Sequence, residues 1–465
     1  MTEVMLKKGT ATLTGAIFQS VSFVAPAASA ASYLVIMVGF VGVAAPFAFV
    51  FAALAVLSGI FSTYNFSKRI THAGGYYSFV TAGLGSKIGI AASWFYLAVV
   101  ITAVASFPVA FFAGVVTPEI PVLASIPHGW ILASLIPMVI IFITLYFGLK
   151  ISLYYTLIGG AIEIGFLIIS SIIILAKAGH LSIIPFTPAG ASFSHFGYAI
   201  MYGSLSFAGV SQLVTISEET KTPKRLIPLG ILIAFSLTAV TFLLFSYALI
   251  QGWGISNIGS LVTAANPGFT VVLKYLGPTG LIIFMIITAN SFISCGIATA
   301  NASTRSCYGM SRENILFPRS YTKLNSHGTP IYILAALFIV TIISMYGLGI
   351  FVGPFEAGAI LTGFEGILLY LTHILMNFSL PIYAKRTLKA KLGTIFTFSA
   401  APLASTAIYI FAISSFFYPF PSFPSNVPSF LGLALIISGI LIVLLYSQLK
   451  TKDYFKTIGT EKFKE

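Results

Sequence analysis

Three ionisable side chains interrupt long apolar runs of this sequence: Glu163, Glu365 and His373. If such runs cross a membrane, placing a carboxylate at the centre costs at least about 2.5–3.5 kcal/mol, so the group is neutral, paired or directed into a cavity. Glu365 and His373 are eight residues apart, about 12 Å along a helix axis. Either they belong to one polar path, or each forms its own hydrogen bonds with backbone carbonyl groups.

Two further segments combine small and polar residues in a way that weakens a helix. Residues 19–26 read Gln-Ser-Val-Ser-Phe-Val-Ala-Pro, and residues 203–212 read Gly-Ser-Leu-Ser-Phe-Ala-Gly-Val-Ser-Gln. Proline removes a backbone donor and clashes with the preceding turn, and glycine lowers helix stability. An interrupted helix exposes N–H groups on one half, which attract a carboxylate, and carbonyl groups on the other, which attract an ammonium.

A zwitterion presents both of these charges, so the two segments together predict a binding site. The alternative is that Pro26 only kinks its helix and that the glycines only permit close helix packing. We expect the first segment to offer groups to a carboxylate and the carbonyls of the second to receive an amine. The predicted contacts are Ser20, Val21, Ser22, Phe207, Ala208, Gly209 and Ser211.

The composition indicates which elements position these segments. Hydrophobic residues make up 58% of the 465 residues and charged residues only 8%, and the mean hydropathy is +1.00. A soluble globular protein carries roughly 25% charged residues, so most of this surface must face lipid. A spanning helix needs about 20 apolar residues, and about twelve of them fit the length. The predicted spans are 12–37, 41–65, 89–115, 130–148, 152–177, 196–217, 227–250, 278–304, 331–350, 357–380, 394–418 and 430–448.

The placement of charge orients these spans. Of the 24 Lys and Arg residues, all except Lys177 and Lys274 fall in the N-terminal segment, in the tail or at one set of alternate loops. The positive-inside rule therefore predicts cytoplasmic N- and C-termini, in a multi-pass protein of the plasma membrane. The same pattern argues that the net charge of +13 serves topology rather than nucleic-acid binding. The first apolar run is too long for the core of a cleavable signal peptide.

Loop lengths predict an inverted repeat. The long segment at 66–88 lies on the basic side, whereas the long segment at 251–277, five helices further on, lies on the opposite side. This exchange of sides predicts two five-helix repeats, at 1–195 and 196–393, followed by helices 11 and 12 at 394–465. Helices 1 and 6 are then equivalent, and the site of such transporters lies where they are interrupted.

Four motifs at the predicted positions carry a resemblance. They are Ala25-Pro26-Ala27, residues 73–77 (Ala-Gly-Gly-Tyr-Tyr), the stretch from Phe207-Ala208-Gly209 to Glu218-Glu219 and Pro223-x-Arg225-x-x-Pro228, and Arg305-x-x-Tyr308-x-Met310-x-Arg312 with residues 316–318 (Leu-Phe-Pro). In these the chain resembles the amino acid–polyamine–organocation family of secondary transporters over nearly its whole length. The resemblance implies the leucine-transporter-type fold with discontinuous helices 1 and 6.

The resemblance also implies transport of amino acids or of amines derived from them, by symport or antiport with H⁺ or Na⁺. In helix 5, Glu163 stands near a position where some proton-coupled relatives place a lysine, so it is either a proton carrier or a fixed acid that hydrogen-bonds helix 1. Glu365 and His373 are further coupling candidates. An inner gate of ion pairs is expected between Glu218 or Glu219 and the candidate cations, with a solvated loop as the alternative. The candidate cations are Arg69, Arg305 and Arg312.

The sequence departs from the family pattern at three places. Ser20-Val21-Ser22 stands where relatives often carry glycines, Ser211 where an acid is frequent, and the non-aromatic Leu205 near an aromatic gate position. Because neither broken segment holds an acid, a neutral amino acid is favoured over a polyamine.

Several function classes are disfavoured. There is no phosphate-binding loop and no His-Glu-x-x-His motif, so we expect no enzyme activity, no metal and no cofactor beyond a coupling ion. The expected partners are a small-molecule substrate and the lipid bilayer, and the oligomeric state stays open. An amino acid/amine exchanger or a polyamine permease on the same fold is the nearest alternative. A non-transporting receptor or a channel is the alternative from another class, and the paired breaks disfavour it.

Overall fold

A computed structural model describes residues 9–179, 181–264 and 266–458. The basic residues before 9 and after 458, on which part of the orientation argument rests, lie outside this description. The helices are α1 Leu13–Val24, α2 Pro26–Ala31, α3 Tyr33–Val41, α4 Ala45–Ser67, α5 Tyr76–Leu84, α6 Ser86–Val104, α7 Phe112–Val116, α8 Pro121–Ala124, α9 Trp130–Tyr146, α10 Leu149–Lys177, α11 Phe193–Leu205, α12 Pro223–Trp253, α13 Ile258–Thr263, α14 Pro267–Arg312, α15 Ile331–Val352, α16 Pro354–Arg386, α17 Leu392–Ser414, α18 Val427–Leu449 and α19 Lys452–Thr457.

Eleven helical segments of the described residues are long and apolar enough to cross a membrane, and the shorter apolar helix α9 lies between the third and the fourth. They correspond to the predicted set of about twelve spans and confirm an all-α polytopic membrane protein. The long connection predicted at 66–88 contains α5. The one predicted at 251–277 contains α13 and the first part of α14, which is interrupted at Gly277 (φ 74°) just before the predicted span at 278–304. The inverted repeat and its division after residues 195 and 393 stay predictions.

The spans differ in how deeply they are packed. In the segment Phe193–Glu219, 94% of the most apolar stretch is buried, whereas in Val427–Leu449 the share is 22%. The exposed residues of α18 are mainly leucine and isoleucine, which suits contact with lipid. The segments that carry the predicted site therefore lie at the centre of the bundle, and the C-terminal helices lie at its periphery.

Three parts of the chain meet Glu218 and Glu219 at one end of the bundle, which we call the basic end. The Ala11 N–H donates to the carbonyl oxygen of Glu219 over 3.1 Å, and the Ala73 N–H donates to the carboxylate of Glu218 over 2.7 Å. Arg312, the last residue of α14, pairs with the same carboxylate. The basic end therefore joins the start of α1, the loop after α4 and the end of α14.

Candidate functional site

The first membrane helix is broken at Ala25. Its φ and ψ are 47° and 68°, in the left-handed region, and α1 ends at Val24 while α2 begins at Pro26. Proline disfavours the α conformation of the residue before it and fits well at the first position of a new helix. The Ala25 N–H still donates to Val21, over 2.9 Å. The hydroxyl of Ser29 donates to the carbonyl oxygen of Val24 over 2.8 Å, so a polar side chain satisfies part of the break.

The backbone donors that the break releases are taken up by neighbouring helices. The Ala27 N–H donates to Oε1 of Glu163 in α10 over 2.5 Å, and the Ala28 N–H donates to the hydroxyl of Ser291 in α14 over 3.1 Å. Ser291 in turn donates to the same Oε1 over 2.5 Å. Glu163 is fully buried, and its Oε2 has no hydrogen-bond partner among the described residues. A carboxylate at the N-terminus of a half-helix is electrostatically favourable.

The predicted contacts on helix 1 are placed differently from the expectation. Ser20, Val21 and Ser22 lie inside α1, so their N–H groups bond along the helix and are not open to a ligand. The released donors lie about one turn later, at Ala27 and Ala28, because the backbone turns at Ala25. The hydroxyl of Ser20 donates to Val210, over 3.1 Å, and that of Ser22 to Thr156, over 3.0 Å. Val21 packs with Ile164 and Ala234.

In the second broken segment the chain continues as turns and a 3₁₀ helix, which are more tightly wound than an α-helix. α11 ends at Leu205, residues 206–209 form turns, and a 3₁₀ helix runs over Val210–Glu219. The Ala208 N–H donates to the carbonyl oxygen of Leu205 over 3.0 Å, which is the three-residue spacing of such turns. A 3₁₀ stretch of ten residues within a membrane segment is unusually long and suits a hinge or a functional site.

The two broken segments touch each other at Gly209. A Cβ atom added there would lie 2.5 Å from Cβ and Cδ1 of Phe23 and 2.7 Å from its carbonyl carbon. Only a residue without a side chain permits this approach. The ring of Phe207 faces away, against Phe242 at 5.1 Å between ring centroids, and Ser211 lies beside Tyr76.

A cavity lies between the two breaks. It holds about 50 Å³ of free space, enough for a few water molecules. Of the predicted site residues, Ala208 and Glu365 line it. A second space of about 10 Å³ borders Ser20 and Gly209. The larger cavity is lined by Phe23, Val24, Tyr33, Val99, Ala103, Phe107, Leu205, Ala208, Gln212, Cys295, Thr299, Glu365 and Leu369.

An aromatic cluster borders the cavity on the side away from the basic end. The ring of Tyr33 lies 4.6 Å from that of Phe107 and 6.2 Å from that of Tyr202, measured between centroids. All three residues are buried. Sequence reasoning looked for an aromatic residue at Leu205 and missed Tyr202, which stands three positions earlier on the same face of α11. That spacing was the signal that could have found it.

The basic end is held together by two predicted ion pairs, one buried and one partly buried. Nε of Arg305 donates to Oε2 of Glu219 over 2.9 Å, and Nη2 of Arg312 donates to Oε1 of Glu218 over 3.0 Å. The structure thus brings together four of the predicted gate residues. Arg69 is not among them, because its guanidinium donates to the carbonyl oxygen of Asn65 over 2.6 Å.

Sequence reasoning missed a third pair at this end, between His72 and Glu313. Nε2 of His72 lies 3.0 Å from Oε1 of Glu313, and the hydroxyl of Tyr77 donates to Oε2 over 3.1 Å. His72 lies in the loop after α4 and Glu313 directly after α14, and only tertiary packing brings them together. The spacing of these residues along the chain therefore did not predict the pair.

The remaining coupling candidates are separated. Glu365 lines the cavity, whereas the ring of His373 packs against that of Tyr76, 4.8 Å between centroids. Nδ1 of His373 has no hydrogen-bond partner among the described residues. His373 is not among the residues that line the cavity, so the two do not share one lining. Across the described residues, no three His, Cys, Asp or Glu side chains gather as a metal site requires.

A comparison with protein families matches the chain over residues 15–458 to the family described as amino acid permease. The match includes both breaks, the cavity and the ion pairs at the basic end. No individual curated protein matches the chain.

Proposed function

We propose, from the premise that the chain belongs to the amino acid permease family, that it is a secondary active transporter that moves amino acids across the membrane by alternating access. Membership and the polytopic helical fold support an amino acid transporter. The substrate, the coupling ion and the mechanism are our proposals.

The observation that carries the proposal is the position of the cavity. It lies where Phe23 and Val24 of one broken helix face Leu205 and Ala208 of the other. In transporters built from interrupted helices, substrate binds at mid-membrane between such segments while the bundle opens to either side. The buried pairs at the basic end and the aromatic cluster on the other side are the two closures that we propose open in turn.

We propose that Glu163 couples transport to a proton. Its Oε1 accepts from the Ala27 N–H at 2.5 Å, so its charge acts directly on the start of α2. A protonated carboxyl is a weaker acceptor than a carboxylate, and protonation would therefore loosen the break at Ala25. When ionised, Glu163 would hold the start of α2 as a fixed acid. When protonated, it would weaken the same contact and so couple the proton to the movement of helix 1.

The proposed orientation places the basic end in the cytoplasm of a cell whose plasma membrane holds the protein. Lys68, Arg69 and Lys221 follow helix ends on this side, as the positive-inside rule requires of cytoplasmic loops. Substrate would enter past Tyr33, Phe107 and Tyr202 and leave past the ion pairs.

Uptake into liposomes that contain the purified protein tests the proposal. Saturable uptake of a radiolabelled amino acid that unlabelled amino acids compete away, absent from protein-free liposomes, is the expected result. Non-saturable flux of bulk ions would instead indicate a channel. Repeating uptake with an imposed pH or sodium gradient identifies the coupling ion, and a thermal-shift screen of common amino acids and amines narrows the substrate.

A further inference from the structure

Glu365 is the only acidic side chain among the residues that line the cavity. It belongs to α16, outside both broken segments, and is 7% exposed. The hydroxyls of Ser106 and Thr102 lie beside its carboxyl group. Its Oε1 has no hydrogen-bond partner among the described residues. Buried polar atoms are almost always hydrogen-bonded, so a partner for this atom is expected to come from the cavity.

The protein does not supply a counter-charge at this place. No Lys, Arg or His is among the residues that line the cavity. At the basic end, His72 pairs with Glu313, Arg305 with Glu219 and Arg312 with Glu218. A carboxyl group that faces a buried space without a protein cation is either neutral or paired with a cation that enters the space.

The backbone donors released at the break in helix 1, which would suit an anion, are already used. The N–H groups at the start of α2 bond to Glu163 and Ser291, and the hydroxyl of Tyr96 bonds to Oε1 of Gln212. These backbone N–H groups are therefore not available to a negative group of a ligand. The rings of Phe23, Tyr33 and Phe107 also line the cavity, and aromatic faces attract cations.

We propose that the transported substrate carries an ammonium or guanidinium group that binds the carboxylate of Glu365, so that the substrate class is organic cations. This rests on the proposed transport function and deepens it. Basic amino acids and alkyl diamines share this chemistry, with a methylene stem that suits Leu205 and Leu369. The acid that the sequence lacks in both broken segments is supplied by α16.

Uptake of three radiolabelled compounds, lysine, putrescine and leucine, into proteoliposomes tests the proposal. We expect saturable uptake of lysine or putrescine, competed by the other cation and not by leucine. Either result supports a cation site. Uptake of both cations indicates that the site accepts a substrate with an α-carboxylate, as in lysine, and uptake of putrescine alone indicates that it accepts only amines. Saturable leucine uptake that neither cation competes overturns the cation proposal and leaves amino acid transport standing. No saturable uptake of any of the three overturns both.

The variant Glu365→Gln tests whether Glu365 is the counter-ion of the substrate or an acid that only supports the structure. We expect it to raise KM for the cationic substrate at least about tenfold, because truncating one partner of a buried charge pair removes much of the affinity. Thermal stabilisation of the purified protein by that substrate should disappear as well, whereas Glu365→Asp should retain part of it. Glu356→Gln, which changes an exposed acid in the first turn of the same helix, is the matched control. An unchanged KM in Glu365→Gln contradicts the proposal, as does an equal loss for all three compounds together with loss of the pH-gradient response.

Discussion

The carboxylate of Glu163 in α10 accepts the backbone N–H of Ala27, 2.5 Å away, at the first turn of the half-helix that follows the break in helix 1. The hydroxyl of Ser291 donates to the same oxygen, so two helices hold the start of α2 from either side. Released N–H groups at a helix N-terminus need a partner when they are buried. In this protein an internal acid fills that need, and the geometry of the break depends on it.

Replacing Glu163 should therefore destabilise the break. In Glu163→Ala the Ala27 N–H stays buried without its acceptor, which costs about 1–3 kcal/mol. We expect a lower melting temperature and little uptake. Glu163→Gln retains an acceptor oxygen, so it should fold nearly as well as the native protein and lose only the response of uptake to a pH gradient. Thermal unfolding and gradient-driven uptake measure the two effects.

Ser291→Ala is the comparison for this pair, because it leaves the Ala28 N–H of α2 without its acceptor and removes one donor to the carboxylate, but keeps the charge of Glu163 in place. It should affect stability less than Glu163→Ala and preserve the pH response. If Glu163→Gln retains the full response to the gradient, Glu163 is a structural acid and the proton is carried elsewhere.

Much of this architecture follows from local sequence signals. Twelve apolar runs predict the spans, and Pro26 together with the glycines near 203–209 predicts where two of them are interrupted. These signals act within a turn or two of the chain, so they locate an element without identifying its neighbours. That is why the break was predicted within Ser20–Pro26, where the backbone does turn at Ala25, while the partners of the released N–H groups were not predicted.

Contacts between distant segments decide the rest. Glu163 contacts Ala27, which lies 136 residues earlier in the chain, and Glu365 joins the cavity from α16. Two arginines at the basic end have different partners. Arg305 pairs with Glu219, whereas Arg69 donates to a backbone carbonyl of the helix that it follows. Such choices depend on how helices rotate and pack, which the apolar pattern of a nearly uniformly hydrophobic helix hardly specifies.

The two broken segments touch at Gly209, so adding a single methyl group there should push them apart. In Gly209→Ala the new Cβ would lie 2.5 Å from side-chain atoms of Phe23, and overpacking of this kind costs about 1–3 kcal/mol. We expect a large loss of uptake with a moderate loss of thermal stability. Gly347→Ala is the control, because an added Cβ in α15 meets nothing within 4 Å. Full uptake by Gly209→Ala would show that the segments need not touch.

The ion pairs at the basic end should differ in their contribution to stability. Arg305 is 1% exposed and pairs with Glu219, so Arg305→Ala leaves a buried carboxylate without its cation, at a cost of about 3–5 kcal/mol. Arg69→Ala, which breaks no ion pair among the described residues, should change the melting temperature much less. The double variant Arg305→Ala with Glu219→Ala should recover part of the loss. Equal effects of the two single variants would argue against a buried gate.

Cys295 offers a direct measurement of the cavity. It lines the space between the breaks, and its thiol donates to the carbonyl oxygen of Phe23 over 3.1 Å. In a Cys307→Ser background Cys295 is the only cysteine, and a small methanethiosulfonate reagent should label it slowly, since it is buried until the pathway opens. Substrate at ten times its Kd should slow labelling about tenfold, because it occupies the same space. The reverse background, Cys295→Ser, leaves the buried Cys307, whose labelling should not respond to substrate. Equal labelling of Cys295 with and without substrate would place the substrate site away from the two breaks.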